Sequence, residues 1–191
     1  MKPRHALLIG LLALASCTER STEMPSQSQE FFSGYGGETT EELIAMAGDY
    51  RIDSIVLAFE EALEQQRGER SLTTEESWIL AIVDLEREVN NGGYLQFFEN
   101  SSREHAASVV QALEAISCPQ VAELTQRAIA TLKIQGEISE AAIEEAIETR
   151  EDEISESLDA LDSEFIQQTE SIEDRLFEFI KANRDHIKTK A

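Results

Sequence analysis

The chain has 191 residues, 41% of them hydrophobic, which suits one domain with a core of ordinary size plus additional segments and excludes disorder throughout. Its 16 Lys+Arg against 38 Asp+Glu give a formal net charge of −22. Phosphates would repel such a surface, so direct binding to nucleic acid or anionic headgroups is excluded, and the partner to expect is a basic protein or a cationic peptide.

Residues 1–16 have the layout of a signal peptide: Lys2 and Arg4, an apolar run from Ala6 to Ala15, then small residues before Cys17. The run is about half the roughly 20 residues that a membrane-spanning helix needs. Leu14-Ala15-Ser16-Cys17 resembles the lipobox of bacterial lipoproteins. The resemblance implies that Cys17 carries the lipid, palmitate included, and begins the mature chain. It also implies that Thr18, not being aspartate, directs the protein to the periplasmic face of the outer membrane. The expected localisation is therefore exported and lipid-anchored, with the N-terminal lipid as the only membrane contact. Loss of Lys2 and Arg4 would leave a mature chain still more acidic. With Cys17 given to lipid, Cys118 has no intrachain disulfide partner and reads as a small buried apolar residue, with a reactive thiol as the lesser alternative.

Residues 17–40 are rich in Ser, Thr, Gln, Glu and Gly, with Pro25, and read as a flexible tether spanning about 25 to 30 Å. Phe31, Phe32 and Tyr35 break that pattern and are expected to pack loosely on the fold. Residues 41–191 show helix punctuation and almost no strand pattern, so the expected class is all-α, a compact multi-helix domain. A helix over about Asp53–Gln66 presents Ile55, Leu57, Phe59, Ala62 and Leu63 and ends at Gly68. Thr73 and Glu76 form a capping-box pattern before a helix whose core face is Trp78, Ile79, Ile82, Leu85 and Val89. Ser102 is placed to cap a helix through Val109, Val110, Leu113 and Ile116. Pro119 opens the next, through Val121, Leu124, Ile129 and Leu132, and Gly136 ends it. Ser139 and Ser171 are expected to cap the last two helices. Ile143, Ile147, Ile154, Leu158, Leu161 and Phe165 form one apolar stripe, read as domain core, with a homodimer seam as the alternative.

The helix from Thr74 runs into Asn91-Gly92-Gly93-Tyr94-Leu95-Gln96-Phe97-Phe98-Glu99-Asn100. Asn91 and the glycines can take left-handed backbone angles and stop the helix, and Tyr94, Phe97 and Phe98 form an apolar cluster. Gln96 and Asn100 are expected to bridge neighbouring backbone groups, which makes the motif structural. It resembles the signature of the acidic, all-helical DNA-mimic protein family, whose pattern is Asn-Gly-Gly-aromatic-x-Gln-aromatic-Phe-x-Asn. Leu161, Asp162 and Phe165, followed by Leu176, Phe179, Ile180 and Asn183, resemble the family's closing pattern. The resemblance covers about Asp53 to Ile187 and implies an all-helical fold. The family's named activity is binding a DNA-binding transcription regulator through a negative surface.

Between Glu137 and Glu178 there are 16 acidic and two basic residues. Glu140, Glu144, Glu148 and Glu151, joined by Asp152, Glu156 and Asp159, form a candidate acidic interaction surface. On a continuous helix the first four would place carboxylates about 4.5 to 6 Å apart along the axis. The plainer reading is a solvated face opposite the apolar stripe. No HExxH, Cys-x-x-Cys or phosphate-binding glycine loop occurs, His105 and His186 lack ligand spacing to each other, and Asp159, Asp162 and Glu164 lack EF-hand spacing. No catalytic residue, metal or cofactor is therefore expected. The leading function is a lipid-anchored, non-catalytic interaction module. The alternatives are an immunity-type protein masking a basic toxin or nuclease, a cytoplasmic DNA mimic if the signal peptide is misread, and an envelope enzyme.

Overall fold

In the computed structural model, which describes residues 29–190, seven α-helices follow one another: α1 (Thr40–Ala45), α2 (Ile52–Arg67), α3 (Thr74–Glu99), α4 (Val109–Ala115), α5 (Pro119–Thr131), α6 (Glu140–Gln167) and α7 (Ile172–Ala182). The signal peptide, Cys17 and the first part of the tether lie outside the described residues. Short 3-10 turns occupy Met46–Gly48, Ser101–His105 and Arg184–His186. The domain is all-α, as the punctuation predicts. The capping box at Thr73 forms in both directions, a second one forms at Thr39 with Glu42, and Pro119 begins α5.

Helix α3 is the centre. It packs against α2, α4, α6 and the turn at Ser101–His105, while α5 bridges α4 and α6 and α7 lies on α2. Its residues Ile79, Leu80, Ile82, Val83 and Leu85 are buried, together with Tyr94, Phe97 and Phe98 beyond the glycines. Each large side chain taken out of water contributes roughly 1.5–3 kcal/mol. The stripe on α6, Ile143 through Phe165, is buried against this same chain, so its apolar surface is core.

Several expectations are corrected by the packing. The second part of the tether is part of the fold: Glu30 pairs with Tyr50 in an isolated bridge, Phe32 packs edge-on to Tyr50, and the Tyr35 hydroxyl donates to Thr189 O at 2.7 Å. Phe32 and Tyr35, partly buried against the core, hold this segment down despite its polar composition, while Phe31 stays exposed. Ser102 caps no α-helix; it sits in a 3-10 turn, and its hydroxyl donates to Phe97 O at 3.0 Å. Ser139 does cap α6, whereas the Ser171 hydroxyl turns to Asp174 at 2.7 Å. Leu57 is exposed rather than core, and Trp78 lies at the core's edge near Phe179. Position on a helical face cannot say how far the neighbouring helix extends.

The two ends of the domain are tied together at Glu76. This carboxylate is fully buried and accepts from Arg70 Nη1 and Nη2, both at 2.7 Å, from Thr73 N at 2.8 Å and from Lys188 N at 2.7 Å. Thr40 Oγ1 donates to Ile187 O, and Thr189 Oγ1 to Glu38 O, each at 2.8 Å. Burial by itself would raise the Glu76 pKa, but Arg70 and the Thr73 and Lys188 amides outweigh it and hold the carboxyl below its ordinary range.

Candidate interaction surface

The glycine-aromatic motif does not stop α3 but kinks it. Gly92 has φ −155° and ψ 20°, Gly93 has φ 78° and ψ −179°, and the helix resumes to Glu99. Gly93 thus occupies a backbone region essentially closed to side chains. It also lies against α6: a Cβ there would sit 2.3 Å from Asp162 Oδ2. That approach lets the Tyr94 amide donate to Asp162 Oδ1 at 2.8 Å, while the Tyr94 hydroxyl meets Thr125 Oγ1 at 3.0 Å on α5. One tyrosine therefore joins α3, α5 and α6, and the Tyr94 ring packs edge-on to Phe165. Gln96 Nε2 and Asn100 Nδ2 each donate to Glu88 Oε2 at 2.7 Å. The sequence pattern predicts bonds to backbone groups for both. Instead they close a side-chain clasp across the kink, because the turn brings Glu88 over the start of the resumed helix. Asn91 is exposed and Gly92 supports the clasp, its missing Cβ leaving room for Gln96.

The seven carboxylates assigned to the acidic surface all lie on α6 and are exposed, and among the described residues none of these seven side chains has an ion-pair or hydrogen-bond partner. The row is not straight. Arg150 departs from helical geometry with φ −146° and ψ 30°, so regular spacing holds from Glu140 to Glu148 and the helix then changes direction before Glu151. Sequence spacing assumed one continuous helix. The Thr149 hydroxyl donates back to Glu145 O at 2.7 Å, and Arg150 donates to Leu132 O at the end of α5, which gives the bend its local cause. Lys133 and Arg127 pair instead with Glu153 and Glu164, lowering the pKa of each carboxyl and leaving the outward row uncompensated.

A family model described as DMP19-like protein matches residues 70–183, a stretch that contains the kinked motif, Asp162 and the whole of α6. The chain belongs to the DMP19-like family. This bears out the resemblance to DNA-mimic proteins carried by Asn91–Asn100. No curated protein and no solved structure matches the chain.

Two further groups in this family member escaped the sequence reading. Glu86 on α3 and Glu173 on α7 line a cleft of about 210 Å³ with Asp53, and among the described residues neither is paired with a lysine or arginine. Burial first, and then the neighbouring Glu173 carboxylate, push Glu86 up to about 8. No local pattern marks this pair, since its members are 87 positions apart. A carboxyl with a folded pKa above its unfolded value holds its proton longer in the folded state. Its contribution is therefore fully present below about pH 4.5 and is lost as pH rises through about 8. Glu86→Gln is expected to remove that loss. Its melting temperature should exceed that of the wild type at pH 8.5 by several degrees and converge on it near pH 4. Equal melting temperatures at pH 8.5 would show the pair to be unimportant.

Cys118 is fully buried, and burial pushes its thiol up to about 12, which makes it an unreactive apolar residue as expected.

Proposed function

We propose that this DNA-mimic family member is an exported, lipid-anchored interaction module whose α6 carboxylates bind a basic protein outside the cytoplasm. The observation that carries the binding part is the exposed, uncompensated row on α6. Membership of a DNA-mimic family supports a surface of this kind. The lipobox at Leu14–Cys17 supports the location, and an exported protein would not meet a cytoplasmic regulator. The chemistry asked of the partner is a folded surface bearing several Lys or Arg side chains, held by contacts that weaken as salt screens them. Non-catalytic action fits the same reading and is supported by membership of a DNA-mimic family.

Affinity capture with the full chain tests this, at about 50 and 300 mM salt, beside a variant carrying Glu144→Gln, Glu148→Gln, Glu151→Gln and Asp152→Asn. A specific basic protein should be retained at low salt by the wild type, released at high salt and lost from the variant. Retention unchanged by the four substitutions would sink the assignment to α6. Labelled fatty acid should enter the wild type and not Cys17→Ala.

Family membership favours a second reading, a DNA mimic that binds a DNA-binding protein in the cytoplasm. It predicts no lipid incorporation and capture of a transcription regulator.

A further inference from the structure

Away from α6, one buried polar atom has no hydrogen-bond partner and lies among carboxylate oxygens. His105 ends the 3-10 turn Ser101–His105 and is only 8% exposed. Its Nε2 is 3.2 Å from Asp84 Oδ2 on α3, out of line for a hydrogen bond, and 3.8 Å from Glu104 Oε1. Both carboxylates are oriented from behind. Asp84 Oδ1 takes Arg87, and Glu104 Oε2 takes Arg67, so each turns its other oxygen toward the imidazole nitrogen. A cleft of about 580 Å³, lined by His105, Glu104, Arg67 and Arg70, leads to the site from solvent.

We propose that His105, Asp84 and Glu104 bind one divalent transition-metal ion of the Zn²⁺ or Co²⁺ class. Metal–nitrogen and metal–oxygen bonds of about 2.0–2.2 Å place neighbouring ligand atoms of a tetrahedral or octahedral shell roughly 3.0–3.5 Å apart. The His105–Asp84 separation of 3.2 Å already meets that, and Glu104 Oε1, at 3.8 Å, reaches it by a shift of a few tenths of an ångström. Among the described residues no group of three such side chains is already arranged to hold a metal ion, so binding here requires Glu104 to move. Glu104 is on the rim and free to make it, with a side chain 31% exposed.

Charge favours the ion. Asp84 and Glu104 share their two arginines with Glu60, Glu64 and Glu88, so five carboxylates surround two guanidiniums, an excess of three acidic groups beside His105. A divalent cation offsets two of them. One imidazole nitrogen with two carboxylates selects borderline ions over Mg²⁺ and Ca²⁺, which prefer oxygen alone. Arg67 and Arg87 would act from outside the shell, holding each carboxylate in its orientation. The bound ion would join the turn at Ser101–His105 to α3, and through the arginines to α2.

The test uses the full chain and Co²⁺ alone, in the presence of excess Mg²⁺ to occupy the general acidic surface. One equivalent should bind, give visible absorption bands, be displaced by Zn²⁺, and shift the His105 imidazole nitrogen resonance. His105→Ala should weaken binding by at least about 100-fold, beyond the effect usual for residues outside the shell. Glu104→Gln, on the rim and compatible with folding, should weaken it without altering the circular dichroism spectrum. Binding swept off by Mg²⁺, absence of visible bands, or equal affinity in His105→Ala or Glu104→Gln would overturn the proposal.

Discussion

Gly93→Ala is expected to destabilise the domain by about 2–6 kcal/mol. Two separate causes act. A side chain at φ 78° and ψ −179° costs of order 1–3 kcal/mol, because that region is essentially limited to glycine. The new Cβ would also stand 2.3 Å from Asp162 Oδ2, and moving Asp162 away leaves the buried Tyr94 amide without its acceptor, a further 1–3 kcal/mol. For a chain of this size the sum lowers the melting temperature by roughly 10 °C. Gly92→Ala should cost less, since φ −155° lies outside the left-handed region and the new Cβ would meet Gln96 alone, turning that side chain away from Glu88. Thermal and urea unfolding of both variants read the difference. The double variant Gly93→Ala/Asp162→Ala should be more stable than the sum of its singles implies, because removing the carboxylate relieves the clash. A Gly93→Ala protein within 1 kcal/mol of the wild type would mean that the kink is not fixed by this contact.

Removal of Glu76 is the second large effect. Its carboxylate has no solvent exposure and satisfies Arg70, Thr73 N and Lys188 N together, so Glu76→Ala strands a guanidinium and two amides at once. Breaking a buried ion pair by deleting one partner costs about 3–5 kcal/mol. Arg70 keeps some access to water, which places the loss toward the lower figure. The Lys188 amide should also lose protection from hydrogen exchange, a local signature that a general loss of packing would not single out. The sign of the pH dependence follows from a folded pKa held below 4.5. The contribution is fully present above the unfolded value and disappears as pH falls through the folded one. The stability gap between Glu76→Ala and the wild type should therefore close in acid. A gap that stays constant down to pH 2 would contradict the ionised clasp.

Much of this was legible in local sequence. The capping box at Thr73 and Glu76 announces the start of α3, Pro119 the start of α5, and the apolar positions of α6 its buried face. These signals depend on residues three or four apart, which a helix brings together by itself. Glu76 shows where this ends: its bond to Thr73 follows from spacing, but those to Arg70 and Lys188 require the tail to return. The motif divides in the same way. Two adjacent glycines before three aromatics point to a break in the helix, yet neither Glu88 as the common acceptor for Gln96 and Asn100 nor Asp162 as the partner of the Tyr94 amide could be read beforehand. Asp162 is 68 positions from Tyr94.

By itself the sequence determined the helical class, the positions of most helix starts, the acidity and the family-defining motif, because each rests on composition or on short-range periodicity. Only the tertiary structure decided that α3 continues beyond Gly93, that α6 bends at Arg150, and that residues 29–39 are held by Tyr50, α2 and the carboxy-terminal tail. It also decided which carboxylates remain free on α6 and which converge on Glu86 or His105. Those outcomes depend on contacts between residues far apart in the chain, and the chain has to close around α3 before any of them exists.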